Sequence, residues 1–307
     1  MEKSQSEIRA FLIMSFVISW VLYGAFLVFG GKPGTGAAGF IAFIGSIVPG
    51  IIAIIVRKYL ASGRLKSPLA LYFKPNRWFF FAWIMALVVT LAIAHLGVEL
   101  PGHRYSPDMA DFYARMELTK SAEHVSAMKQ SLEQLPFSLV WITVITGMIG
   151  GVTYLMLLSL LSEMAWRGFL LPVFARLGFW KAALLTGGIW GLWAMPVVLV
   201  ADIYPGGRLA GMGMMLVYCV LMSPIVSYFR AKSGSVLPSS IFLGTTAGLA
   251  AIPLMIVEGS TAFTVGLTGF AGFIVLGLVD VLLMVYDRFV ADTPIAETAV
   301  WERPVKM

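Results

Sequence analysis

Eight stretches of this chain are long and apolar enough to cross a lipid bilayer: 10–30, 37–57, 78–97, 137–161, 182–201, 209–229, 236–257 and 262–286. A hydrocarbon core about 30 Å thick takes roughly 20 apolar residues as an α-helix. Inside it no water is present to bond backbone amides, so each stretch has to satisfy its own hydrogen bonds as a helix. A soluble fold is excluded. Of the 307 residues 59% are hydrophobic and 12% charged, where a soluble domain carries about 25% charged residues. The expected fold class is an all-α membrane protein, an eight-transmembrane-helix bundle.

The 22 basic residues set an orientation. With the N-terminus inside, six of them (Lys32, Arg104, Arg115, Lys120, Lys129 and Arg208) fall outside and sixteen inside. Loops rich in Lys and Arg stay cytoplasmic. This asymmetry accounts for the net charge of +6 without any nucleic acid. Both termini are then expected in the cytoplasm. Four regions follow: helices one to three within 1–97, an extracytoplasmic amphipathic insertion at 98–136, a core of helices four to eight at 137–286, and a cytoplasmic tail at 287–307. The basic loop 57–77 is expected to rest on anionic lipid headgroups. Nothing marks 10–30 as a cleaved signal.

In the insertion, Ser106, Pro107 and Asp108 read as a helix start. Met109, Phe112 and Met116 then share one face. A second amphipathic helix is expected after Ser121, carrying Val125, Met128, Leu132 and Leu135. Small-residue spacings at Gly147/Gly151, Gly187/Gly191 and Gly244/Gly248 let helix backbones approach closely. Cys219, the single cysteine, is read as packing.

Within this oil, "SEMAWRGFLLP" at 162–172 places Glu163 four residues before Arg167. That is the favourable order for a helical ion pair. The spacing puts both at the cytoplasmic end of the fourth span, with Trp166 as an interface anchor. The stretch resembles the first motif of the CPBP family of CAAX proteases and bacteriocin-processing enzymes, the Rce1-like intramembrane proteases. The resemblance implies an eight-helix protease fold, with the pattern Glu-Glu-x-x-x-Arg, Phe-x-x-x-His and His-x-x-x-Asn on successive core helices, over about 137–257. Laid on this chain, the second glutamate is Glu163 and the arginine Arg167. The first glutamate, the water-activating one in the family, is Ser162. In "GGIWGLWAMPVVL" the aromatic place is Trp190 and the histidine place Ala194. In "LPSSIFLGTTAGLA" the histidine and asparagine places are Gly244 and Gly248.

Peptide hydrolysis needs a water activated by a base or a metal. Ala194 and Gly244 can supply neither, and an ion-paired carboxylate is a poor base. The three histidines, His95, His103 and His124, fall near the opposite face. No metal or other cofactor is expected. Two readings stand: a non-catalytic member, a pseudoprotease that binds, scaffolds or regulates another membrane protein, and an intramembrane endopeptidase of CAAX-type prenyl-protein or peptide processing that uses Glu163. In either case the partner is a membrane protein or a hydrophobic peptide, and the location the plasma membrane of a bacterium or archaeon. Asp280, in the last span, is the other candidate functional acid, with Arg230, Thr245 or Thr246 as possible partners. Voids left by the missing side chains are expected to be filled by Trp190 and Trp193, with close helix contact across Gly244 and Gly248.

Overall fold

The computed structural model describes residues 5–60, 69–117 and 121–295. Seven helices are long and apolar enough to cross a membrane, and the chain is an integral membrane protein. In order, the first are α1 (Gln5–Val28), α2 (Gly36–Ile55, continued by a π-helical turn Val56–Leu60) and α3 (Arg77–Glu99). The fourth crossing is a bent rod of α6 (Leu139–Val152) and α7 (Tyr154–Glu163), and the fifth joins α8 (Phe179–Ala194) to α9 (Val197–Ala201). Then come α10 (Arg208–Ser233), α11 (Leu237–Leu249) with α12 (Ile252–Ile256), and α13 (Phe270–Phe289). Among the described residues seven helices meet the length and hydropathy of a span, so the expected count of eight is approximate: α8 with α9 is not one of the seven.

The bends have local causes. Thr153, between α6 and α7, turns its hydroxyl back onto the Ile149 carbonyl at 2.8 Å, a bond that bends helices. It follows Gly150 and Gly151, the weakest helix formers after proline. Pro196 separates α8 from α9, and Pro253 opens α12. The last span begins later than its apolar run predicts. Residues 262–269 form turns instead, because Gly266 takes φ +102° and Thr261 and Thr264 bond each other rather than a helix.

Close packing runs through the small-residue faces. A Cβ on Gly248 would lie 2.8 Å from the Gly147 Cα, and one on Gly244 2.7 Å from the Met156 backbone nitrogen. Thr245 fills the notch at Gly151, and Ser159 bonds the Ser240 carbonyl at 2.9 Å. These contacts lay α11 antiparallel along the whole α6–α7 rod. Gly187 and Gly191 receive α10 in the same way, against Ser223 and Leu216. The Gly244/Gly248 face is therefore occupied by the chain's own helix and is not open to a neighbour.

At the end opposite the 57–77 loop, α4 (Ala110–Glu117) and α5 (Ala122–Glu133) form the insertion. Tyr113 and Val125 pack with Met255 beneath them. The first of these helices starts later than expected. Ser106 bonds Asp108 and the Ala110 amide, and Met109 turns through φ +55° before the helix begins. A two-residue ladder, β1 (Arg104–Tyr105) against β2 (Val257–Glu258), ties the insertion to the core. The Arg104 guanidinium bonds Glu258 across it, and Arg115 reaches the Leu254 carbonyl at 2.6 Å. At the basic end, Lys58 and Arg77 lie over Tyr59 and Trp78. Residues 61–68 of the expected lipid-binding loop, with Arg64 and Lys66, and most of the tail beyond Ile295 lie outside the described residues.

Candidate functional site: a sealed ion pair after α7

The chain does not leave the bundle where α7 ends. It continues as a π-helical segment Met164–Leu170 and a 3-10 turn Leu171–Leu177. Expanded π turns recur at functional sites. Here the segment carries Arg167 inward, where its Nη1 donates to Glu163 Oε1 at 2.7 Å. Both side chains have 0% exposure. The pair sits where α7 ends, and it is enclosed by protein on every side. The expectation for Trp166 is corrected. Its ring is fully buried, 6.0 Å from Phe11 and 5.4 Å from Trp193, and it anchors nothing at an interface.

Three elements make the enclosure. From α8, the Trp190 ring lies 4.5 Å from the Arg167 guanidinium. A desolvated stack of this kind is worth about 2 kcal/mol. From α1, Phe11 packs on Phe169 at 4.6 Å, and Trp20 donates to the Trp193 carbonyl at 3.1 Å. From the basic end, Leu69 presses its carbonyl onto Gly168, where a Cβ would collide with it. Leu69 and Ala70 take φ values of +29° and +59° to do so, and the Ala70 carbonyl accepts from the Val236 amide at 2.9 Å.

The interior of the site is polar and incompletely bonded. Among the described residues, Glu163 Oε2, Arg167 Nε and Nη2, Trp166 Nε1 and Trp193 Nε1 have no hydrogen-bond partner. Buried polar atoms are nearly always paired, so this cluster is the least satisfied part of the core.

The remaining motif positions are spread along the helices. Ser162 is half-buried beside Glu163, and Ala194 is buried one turn beyond Trp190. Gly244 faces Leu155 and Met156, about 12 Å along the rod from Glu163 at 1.5 Å per residue, and Gly248 faces Gly147 further still. His95 and His124 are exposed, and His103 bonds the Thr264 hydroxyl at 3.0 Å near the insertion. Among the described residues no cluster of three His, Cys, Asp or Glu side chains could hold a metal ion. Asp280 is half-buried in α13. It bonds none of the partners weighed for it: Thr246 donates to the Leu243 carbonyl, and Thr245 Oγ1 is unpartnered beside Gly151.

Residues 136–248 match the family model of type II CAAX prenyl endopeptidases, Rce1-like. That segment is therefore similar to the Rce1-like enzymes of the CPBP family, over 113 of the 307 residues. The matched segment runs from the start of α6 to the end of α11 and so contains the ion pair, its tryptophan cover and the glycine contacts. No curated protein gives a significant match. The sequence does not announce the seal at Gly168, where the Leu69 carbonyl closes over the backbone. The only signal for it is a glycine directly after the arginine, at a helix end where a side chain is otherwise expected.

Proposed function

We propose that this chain is a non-catalytic CPBP protein, a pseudoprotease that binds, scaffolds or regulates another membrane protein. The observation that carries the reading is the complete burial of Glu163 and Arg167. Hydrolysis needs water at an activating group, and here the carboxylate is held by a guanidinium under an indole. The other positions of the family pattern are Ser162, Ala194, Gly244 and Gly248. One neutral hydroxyl, a methyl group and two hydrogens supply neither a general base nor a set of metal ligands. In this reading the basic end faces the cytoplasm with both termini, and the 57–77 loop meets anionic lipid.

A second reading, an endopeptidase using Glu163, is favoured by one observation: Glu163 Oε2 is unpartnered, beside a cluster of unpartnered N–H donors. Complementation of a deletion strain separates the two. Glu163→Gln, produced at wild-type level, restores function in full if the chain binds without cleaving. Loss of rescue by a folded Glu163→Gln protein favours the endopeptidase.

A further inference from the structure

Asp280 stands in mid-helix in α13, nine residues before its end at Phe289. Its Oδ1 is buried without a partner among the described residues. The contrast with Asp287, two turns on, is sharp. Asp287 holds Lys232 Nζ at 3.2 Å, the Tyr228 hydroxyl at 3.1 Å and the Ile295 amide at 2.9 Å. The bundle thus satisfies the acid at its end and leaves the one at mid-depth unpaired. An intramembrane acid is costly without a partner.

Phe273, Gly277, Asp280 and Met284 follow a 4-3-4 spacing, so they form one stripe along α13. All four are partly or fully exposed. A seven-residue step also puts Asp280 on the side that Asp287 turns toward α10. At Gly277 a Cβ would meet nothing within 4 Å. The stripe is therefore a notch at a helix edge with a carboxylate in it. A lipid acyl chain can fill the notch but offers no hydrogen-bond donor. A second copy of this chain has no exposed cation at that depth: Arg167 is enclosed, and the other described basic residues lie toward the helix ends.

Resting on the binding-protein reading above, we propose that the Gly277–Asp280 stripe docks a partner transmembrane helix carrying one lysine or arginine at mid-membrane depth. The glycine admits the partner's backbone and Asp280 takes its charge. The partner class follows from charge complementarity, since a buried charge is tolerated when it is paired.

The test uses the full chain in phosphatidylcholine vesicles with a synthetic polyleucine transmembrane peptide bearing a single central lysine. The leucine-only peptide is the control, and association is read by energy transfer. The lysine peptide associates about tenfold more tightly than the control, the order expected for one strong intramembrane polar contact. Asp280→Asn removes that advantage, and Gly277→Leu weakens association by filling the notch. Equal association of both peptides, or a lysine advantage that survives Asp280→Asn, overturns the docking site. Cleavage assays on the same vesicles keep the two ideas apart. Glu163-dependent cleavage removes the binding-protein reading and leaves a measured lysine preference standing. Equal association without cleavage removes the docking site alone.

Discussion

The guanidinium of Arg167 lies 4.5 Å from the ring centroid of Trp190, on the helix that follows its own. With Glu163 Oε1 at 2.7 Å on its other contact, the cation is held by one carboxylate and one indole in a site without solvent. Breaking a buried pair from one side strands the remaining charge and costs about 3–5 kcal/mol. Arg167→Ala is therefore expected to lower the folded yield sharply and to unfold well below the wild type in detergent. Glu163→Gln keeps an acceptor for the guanidinium and costs less. Thermal unfolding of the two variants side by side checks the order; equal stability would place the pair in a wet or loosely packed site.

The antiparallel contact of α11 with α6 and α7 depends on the absence of side chains at Gly244 and Gly248. A Cβ on Gly244 meets backbone at 2.7 Å, which cannot rotate away. Overpacking of this kind costs about 1–3 kcal/mol. Gly244→Leu should destabilise strongly, whereas Gly188→Leu, where a Cβ meets nothing within 4 Å, should be tolerated. Equal tolerance at both positions would mean that the two helices stand apart.

The start of α4 carries a pH dependence. The Ser106 hydroxyl donates to Asp108 at 2.7 Å and holds that carboxyl below its ordinary value of 3.8. A lowered folded value stabilises the ionised form, so the contribution is complete above the ordinary carboxylate range and vanishes as pH falls through the lowered value. A spin label on the exposed face of α4 should gain mobility on acidification. Asp108→Asn should show the mobile spectrum at neutral pH already.

Orientation is open to labelling because the one native cysteine, Cys219, is buried. Ser126→Cys, on exposed α5 surface, should react with a membrane-impermeant maleimide from outside only, and Lys74→Cys, at the basic end, from the cytoplasm only. The reverse pattern would invert the basic asymmetry on which the topology rests.

The spans were legible because hydropathy registers every residue that meets lipid. Their breaks were less so. Thr153 and Gly266 act through a side-chain bond and a backbone angle, neither of which alters an apolar count. Trp166 shows the limit more clearly. A tryptophan beside a charged pair near the end of an apolar run has the composition of an interface residue. The π-helical continuation to Leu170 turns it inward, and no periodicity in the sequence announces that turn. The glycine pairs were legible as close contacts. That Gly244 and Gly248 face α6 and α7, and not a second protein, required the three-dimensional register.

On the proposed non-catalytic reading, the positions of the family pattern serve as packing in this chain. Incubation of the purified full-length protein in vesicles with a prenylated CAAX-type peptide, followed by mass spectrometry of the peptide, tests it most directly. The account predicts an intact peptide for the wild type and for Glu163→Gln alike. Cleavage by the wild type that is lost in a folded Glu163→Gln protein would contradict it.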